Sequence, residues 1–253
     1  MEWIRQFYEK QDEWIGCCQG EIEGVDRERA ACVHRLLAAE PGRVLELGCG
    51  GGQTAAAIAE LGHTVVAVDI SRRAIEAAGE RARSVVSGRL IPVLADFFDY
   101  EPAGEFDAVV YFDGFGVGED EDQRRLLHRM AAWMKEGAWA LLDVYAPGYW
   151  ARAAGTEMHF PDASRRYDFD LARTRMLDTW WPKGRRDESV TQSLRCYGPA
   201  ELKVLLEGTR LRVIDLLPGG ALDDATGAYR PLVPLREAMS YRVTLRRQRS
   251  SAF

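Results

Sequence analysis

A chain of 253 residues, 47% of them hydrophobic and 28% charged, is long enough for one α/β domain with insertions or for a domain plus a small subdomain. This much apolar material excludes intrinsic disorder. A net charge of -6 argues against a broad nucleic-acid surface, because such surfaces need clustered lysine and arginine. We therefore expect a small-molecule partner and no nucleic acid.

No stretch of the sequence approaches the ~18 to 20 consecutive apolar residues of a membrane span, and the N-terminus lacks the apolar run of an export signal. The sequence thus predicts a cytoplasmic protein with no membrane partner. Its five cysteines include no C-x-x-C pair, so we expect reduced thiols. Histidine and acidic residues show no metal-ligand spacing, and no metal is expected.

Residues 1–40 alternate apolar and charged positions at helical spacing, which predicts an N-terminal helical cap of two helices, broken between Gly16 and Gly24. Across residues 41–146, short apolar runs alternate with helical patterns. They predict strands near residues 43–47, 64–69, 90–95, 106–112 and 138–145, with helices near 53–61, 71–84 and 120–134. This order is typical of a doubly wound α/β core, a mostly parallel sheet with helices on both faces.

The alternation of strands and helices stops after residue 146. Residues 147–197 contain three period-two segments, at 166–172, 174–181 and 188–197, which predict an inserted antiparallel β-subdomain. Residues 198–253 then form the C-terminal part of the core, with a helix from Pro199 to near Gly208 and strands near 211–217 and 240–247. The aromatic residues of the insert suit either a substrate cover or the face of a homodimer.

A glycine-rich turn follows the first predicted strand. Glu46 is followed by Gly48, Gly50 and Gly52 at alternate positions. Glycine lets the backbone approach a ligand closely, and the N-terminus of the next helix favours an anionic group. A dinucleotide fingerprint starting at Gly48 would need glycine where this chain has Gln53. The glycine spacing suits the zwitterionic tail of a ligand better than a pyrophosphate. It therefore disfavours a nicotinamide-dependent oxidoreductase, which we keep as an alternative enzyme class.

Two acidic residues follow later strands of the same predicted sheet. Asp69 ends the second strand, where α/β sheets bind ligands and where an acid can accept hydrogen bonds from ribose hydroxyls. Asp96 follows the third strand and can accept from an adenine amino group, beside the backbone N–H of Phe97. Either acid could instead cap the helix that comes next.

Over residues 40–145 these motifs resemble the class I S-adenosylmethionine-dependent methyltransferase family, in its small-molecule branch. The resemblance implies a Rossmann-like sheet of seven strands, the last one antiparallel. It also implies S-adenosylmethionine as the cofactor and S-adenosylhomocysteine as the product. The cofactor-binding residues it implies are Glu46, Gly48, Cys49, Gly50, Gly52, Asp69, Ile70, Asp96 and Phe97, with Ile70 packed on the adenine face.

The resemblance further implies O- or N-methylation of a small-molecule acceptor, of a kind found in specialised metabolism. An S-adenosylmethionine-binding protein that transfers no methyl group, either cyclase-type or a scaffold, is the second alternative. Arg152, Arg165 or Arg166 could hold an anionic acceptor.

Three residues are candidates for the catalytic side of such a site. Asp113 falls in the family's fourth motif, at the mouth where methyl transfer occurs, or it caps the helix that starts near Glu119. Tyr8 is either a packing residue of the cap or, by analogy with related enzymes whose N-terminal helix closes over the cofactor and donates an aromatic hydroxyl, a lid residue. His159 lies in the insert beside Met158 and is either a general base or a surface histidine.

Overall fold

The structure, a computed structural model, describes residues 2–223 and 227–249. Residue 1, which belongs to the predicted cap, lies outside the described residues, as do residues 224–226 and 250–253 of the predicted C-terminal part.

The elements follow one another in this order: α1 (Glu2–Ile15), a 3-10 helix (Cys17–Gln19), α2 (Gly24–Leu36), β1 (Arg43–Leu47), α3 (Gln53–Glu60), β2 (Thr64–Asp69), α4 (Arg72–Ser84), β3 (Arg89–Leu94), β4 (Phe106–Phe115), α5 (Asp120–Trp133), β5 (Met134–Tyr145) and α6 (Pro147–Ala153). The second half contains β6 (Glu157–His159), β7 (Ala163–Asp170), β8 (Arg175–Pro182), a 3-10 helix (Arg186–Glu188), β9 (Val190–Arg195), α7 (Pro199–Leu205), β10 (Leu211–Pro218), β11 (Ala221–Leu222), β12 (Tyr229–Arg230) and β13 (Ser240–Arg247).

The main sheet has seven strands in the order β10-β13-β5-β4-β1-β2-β3. Strands β3, β2, β1, β4 and β5 are parallel to one another, and β13 is antiparallel to both β5 and β10. The predicted Rossmann-like sheet with an antiparallel last strand is therefore confirmed. Strands β2 and β3 lie on one side of β1, whereas β4 and β5 lie on its other side. The direction of strand addition therefore reverses between β1 and β4, and open α/β sheets bind ligands at such a switch point.

Side chains alternate between the two faces of this sheet. Val44 packs with α2 and α3 on one face, whereas Leu45 packs with α5 and α7 on the other. Both faces are covered by helices, as predicted. Glu46 shares the face of Val44 and lies near the carboxyl end of β1, so its carboxyl group points toward the switch point.

A second, antiparallel sheet lies in the region of the predicted insert, with strand order β6-β7-β8-β9. Three of its strands correspond to the predicted segments, and β6 adds a three-residue strand that is too short to show a period. Helix α1 packs against this sheet, because its buried Phe7 joins Ala163 and Trp180 in one apolar cluster. The N-terminal helix thus bridges the second sheet and the main sheet.

Within the described residues, no helix combines the length and the apolar character that crossing a bilayer requires.

Candidate active site

A cavity of about 610 Å³ opens at the carboxyl ends of β1, β2 and β4, around the switch point of the sheet. The N-terminal segment closes its other side, since α1 and the first 3-10 helix contribute part of the wall. The wall includes Tyr8, Cys17, Cys18, Asp26, Arg29, Glu46, Gly48, Cys49, Gly50, Gly51, Gln53, Thr54, Asp69, Ile70, Phe97, Tyr111 and Asp113. Its volume lies within the usual range for small-molecule sites.

The glycine-rich turn forms the floor of the cavity. Gly50 has a φ of +52°, which glycine adopts without strain, and its N–H donates to Asp69 Oδ2 at 2.9 Å. At Gly51 a Cβ atom would lie 2.1 Å from the carbonyl oxygen of Cys18, so any side chain would displace the first 3-10 helix. Gly52 does not line the cavity; it allows the close approach of α4.

Two polar side chains hold the N-terminal segment against this turn. Arg81, on α4, donates to the carbonyl oxygens of Cys18 at 2.9 Å, of Gly51 at 2.6 Å and of Gly20. Gln53 donates to the carbonyl oxygen of Gly20 at 3.5 Å. The floor and the cover of the cavity are therefore joined through backbone carbonyls.

Among the described residues of the wall, Glu46 and Arg29 each have a buried polar atom without a hydrogen-bond partner. Glu46 is 3% exposed, and its Oε2 atom is buried without a hydrogen-bond partner. Burial raises the pKa of Glu46 to about 8, against the opposing charge of Arg29. A buried polar atom without a partner is costly, and a ligand that brings an N–H donor removes that cost. The ammonium group of a methionine tail fits this requirement.

Asp69 links the turn to the start of α4. Its Oδ1 accepts from the N–H of Ser71 at 2.8 Å and its Oδ2 from Gly50. Burial raises the pKa of Asp69 to about 6, although both hydrogen bonds act in the opposite direction. Ser71 caps α4 by accepting from the N–H of Ala74, so the alternative role of Asp69 as that cap is not supported. Each carboxylate oxygen keeps a lone pair for a ribose hydroxyl.

An apolar wall follows on the side of β3. Ile70 and Phe97 line the cavity, and the ring of Phe97 packs edge-on against Tyr111, with 5.2 Å between centroids. Asp96 is not part of the wall, and its Oδ1 accepts from the backbone N–H of Phe98. The predicted adenine contact of Asp96 therefore gains no support from the cavity, whereas Ile70 and Phe97 are placed to pack on an aromatic base.

Asp113 lies at the mouth, in an irregular end of β4. Its φ is +56°, unusual for a residue other than glycine, and its side chain is 61% exposed. The side chain forms an ion pair with Arg29 at 2.6 Å, and Arg29 also pairs with the buried Asp143 at 2.8 Å. Helix α5 is capped by Glu119 and Asp122, so the alternative role of Asp113 as its cap is wrong.

Two phenols lie near the mouth. Tyr8, which lines the cavity, donates to Gln192 Oε1 at 3.1 Å, and Tyr145 donates to the backbone carbonyl of Asp113 at 3.4 Å. Burial raises the pKa of both phenols well above the ordinary value, with nearby carboxylates acting in the same direction. Both hydroxyls stay protonated at neutral pH, so neither acts as a general base.

His159 lies outside this site. It is exposed on β6, where its Nδ1 is 2.9 Å from Ser164 Oγ, and it does not line the cavity. Its predicted role as a general base has no geometric support, and the interpretation as a surface histidine fits the structure. The three arginines considered for an anionic acceptor also lie outside the cavity: Arg152, Arg165 and Arg166.

The structure brings together seven of the nine predicted cofactor residues, together with Tyr8 and Asp113. Sequence reasoning missed Arg29, Asp26 and Thr54. Asp26 and Arg29 lie three positions apart on α2 and so share a face, which is the one signal that could have found them. That face is known to meet the cavity only once α2 is docked.

A sheet of this strand order, with a glycine-rich turn below an unpartnered acid, defines the class I S-adenosylmethionine-dependent methyltransferases. The sequence matches a family described as a methyltransferase domain over residues 22–216. The chain belongs to this family, whose cofactor is S-adenosylmethionine.

Among curated proteins, the chain is 31% identical over 166 residues to the cypemycin N-terminal methyltransferase of a Streptomyces species, covering 65% of this chain and 64% of that protein. It is 41% identical over 107 residues to the magnesium-protoporphyrin O-methyltransferase of Rhodobacter capsulatus, covering 42% of this chain and 47% of that protein. The alignments thus span about half to two thirds of these relatives. The solved structure of the CcbJ methyltransferase from Streptomyces caelestis shares the fold, with a TM-score of 0.72, 22% identity and coverage of 97% of this chain and 96% of that chain.

Proposed function

We propose that this chain transfers the methyl group of S-adenosylmethionine to a nitrogen or oxygen atom of a small molecule that enters the same cavity. The observation that carries the proposal is the buried, unpartnered Oε2 atom of Glu46 beside the glycine-rich turn. In the ionised form of Glu46 that atom needs a hydrogen-bond donor, which a ligand can bring, and the adjoining floor of the cavity is backbone that a ligand can approach closely.

Each part of the cofactor has a matching part of the wall. Glu46 accepts from the ammonium group, and Asp69 accepts from the ribose hydroxyls with its remaining lone pairs. Ile70 and Phe97 pack on the adenine ring. The bound cofactor supplies a methyl group already activated on a sulfonium. The chain itself aligns the acceptor and excludes water through α1 and the first 3-10 helix.

The names of the two curated relatives include both an N- and an O-methyltransferase. These names support methyl transfer, but they do not distinguish nitrogen from oxygen as the acceptor atom.

Incubation of the full chain with S-adenosylmethionine labelled in its methyl group, against a broad panel of small acceptors, tests the proposal. We expect labelled product and S-adenosylhomocysteine in equal amounts. Cofactor binding without S-adenosylhomocysteine formation across the panel would favour the scaffold or cyclase-type alternative.

A further inference from the structure

We infer that the acceptor is an amine, and that Gln192 and Asp178 orient the Tyr8 hydroxyl so that its oxygen accepts a hydrogen bond from that amine. The inference rests on the proposed function and narrows its substrate class. Two observations carry it: the charges around the cavity, and a chain of hydrogen bonds that ends at Tyr8.

The described side chains that line the cavity include six carboxyl groups and a single cationic group. The carboxyl groups belong to Glu21, Glu23, Asp26, Glu46, Asp69 and Asp113, and the cation is Arg29. Arg29 is shared between Asp113 at 2.6 Å and Asp143 at 2.8 Å, so two carboxylates balance its charge, while its buried Nε has no hydrogen-bond partner among the described residues. Glu46 and Asp69 are assigned to the cofactor, and the acids that remain include Asp113 at the mouth, so an ammonium group meets a more favourable field there than a carboxylate does.

The hydrogen-bond chain begins at Asp178, which is 0% exposed on β8. Its carboxylate accepts from Arg165 Nε at 3.1 Å and Nη2 at 2.5 Å, and from the indole of Trp180 at 3.0 Å. It also accepts from the amide nitrogen of Gln192 at 3.3 Å. A carboxylate that is ion-paired in this way is an acceptor only, so the amide nitrogen of Gln192 must be the atom that faces it.

This constraint fixes Tyr8 as the donor in its hydrogen bond with Gln192. With its nitrogen directed at Asp178, Gln192 presents Oε1 to the Tyr8 hydroxyl, which lies 3.1 Å away. The Tyr8 hydroxyl therefore donates its proton in the hydrogen bond to Gln192. The lone pairs of the phenol oxygen can then accept a hydrogen bond from a ligand in the cavity. Tyr8 offers a hydrogen-bond acceptor to the substrate, and an amine N–H is the complementary donor.

The bound ammonium group first releases its proton to water, and from the neutral amine the transfer balances without a base from the protein. The lone pair of the neutral amine forms a bond to the methyl carbon as the carbon–sulfur bond breaks, and that electron pair stays on sulfur. The positive charge moves from sulfur to nitrogen, which later releases a proton to water. Carboxylates such as Asp69 and Asp113 face a cation before and after the step. An alcohol would have to lose its proton during attack; the protonated Tyr8 and Tyr145 cannot take it, and the Asp113 carboxylate is held in an ion pair with Arg29.

Three pools of small molecules on the same carbon skeletons test the substrate class: amines, alcohols and carboxylates, each with labelled S-adenosylmethionine. We expect at least about tenfold more label in the amine pool. Equal or greater transfer to another pool, or no transfer to the amines, would overturn the inference. The two failures are distinguishable: transfer to the alcohols or carboxylates overturns only this inference, whereas no transfer to any pool, with or without binding of S-adenosylhomocysteine in calorimetry, means that the proposed function itself has failed.

The best amine of that pool then tests the positioning role of Gln192. Q192L should lower kcat at least about tenfold with cofactor affinity unchanged. Relative to the natural chain at the same pH, Q192E should keep its activity at low pH, where the protonated carboxyl group of the introduced side chain donates to Asp178 and accepts from Tyr8. Its activity should be lost as that carboxyl group ionises, because a carboxylate cannot donate to Asp178.

The matched control is T191V, which removes an exposed cross-strand hydrogen bond of 2.8 Å to Thr179 beside Gln192 and should leave kcat unchanged. Unchanged kcat in Q192L, or a Q192E pH profile identical to that of the natural chain, would overturn the role.

Discussion

At the scale of single residues, we expect the buried Glu46 carboxyl group to make cofactor binding depend on pH. In the free protein its pKa is raised to about 8, so it is mostly protonated at neutral pH. A bound ammonium group favours the charged form and lowers this pKa, so binding releases a proton. Affinity for S-adenosylhomocysteine should therefore rise with pH up to about 8, by at most about tenfold per pH unit, and then level off.

Calorimetric titrations of S-adenosylhomocysteine across this pH range measure the effect. The Glu46→Gln variant is the control, because the ligand itself titrates in the same way with both proteins. The variant should lose the additional pH dependence that belongs to Glu46. Identical pH dependence in the two proteins would exclude contact between Glu46 and the ammonium group.

Asp69→Ala should weaken cofactor binding by about 1 to 3 kcal/mol, because charge-assisted hydrogen bonds to the ribose are lost. Calorimetry with S-adenosylhomocysteine measures the change. Asp69→Asn, which keeps one acceptor oxygen, should lose less. Since Asp69 also binds the N–H groups of Gly50 and Ser71, a thermal melt must show that each variant is folded. Unchanged affinity in Asp69→Ala would refute the ribose role.

At the scale of elements, the close approach of the glycine-rich turn to the first 3-10 helix is the contact that shapes the cavity. Gly51→Ala places a Cβ atom 2.1 Å from the carbonyl oxygen of Cys18, so the N-terminal segment must move away. We expect cofactor affinity to fall at least about tenfold, which is about 1.4 kcal/mol. Faster amide hydrogen exchange in residues 2–20 should accompany the loss.

Gly24→Ala is the matched control for this change, since a Cβ at Gly24 meets no atom within 4 Å. Its affinity and its exchange rates should equal those of the natural chain. If Gly51→Ala bound the cofactor as tightly as Gly24→Ala does, the N-terminal segment would not be the cover of the site.

The same scale shows where the element predictions succeed and where they fail. Buried parallel strands such as β2 appear as continuous apolar runs, and their predicted bounds agree with the structure. The sequence pattern misses the start of β5, because Lys135 and Glu136 are polar and exposed and so lack the apolar run. It also misses the end of β4, since the register shift before Phe115, with Asp113 at positive φ, has no sequence pattern.

At the scale of the whole molecule, the contacts that complete the site join distant parts of the chain. Tyr8 and Gln192 are 184 positions apart, and Arg29 and Asp113 are 84 apart. Local patterns predicted the floor of the cavity, because the glycine-rich turn and Asp69 belong to one strand–turn–helix unit and its neighbour. The cover and the acceptor side depend on how α1 docks on the second sheet, which no local pattern encodes.

The cofactor should stabilise the fold as a whole, because the wall of the cavity proposed to bind it includes residues of both the main sheet and the N-terminal segment. At a concentration of about 100 times its Kd, a ligand adds about 2.7 kcal/mol to the free energy of unfolding. For a chain of this size we expect S-adenosylhomocysteine to raise Tm by about 5 to 10 °C, measured by scanning calorimetry. An equal concentration of NAD is the control and should leave Tm unchanged. An equal shift with both ligands would point to nonspecific binding.

The most direct test of the account is an isothermal titration of the full chain with S-adenosylhomocysteine and, separately, with NAD. The alternate glycines of residues 44–52 and the buried Oε2 atom of Glu46, which has no hydrogen-bond partner, predict micromolar or tighter binding of S-adenosylhomocysteine. They also predict no heat of binding from NAD. Micromolar binding of NAD, with no binding of S-adenosylhomocysteine or S-adenosylmethionine, would contradict it.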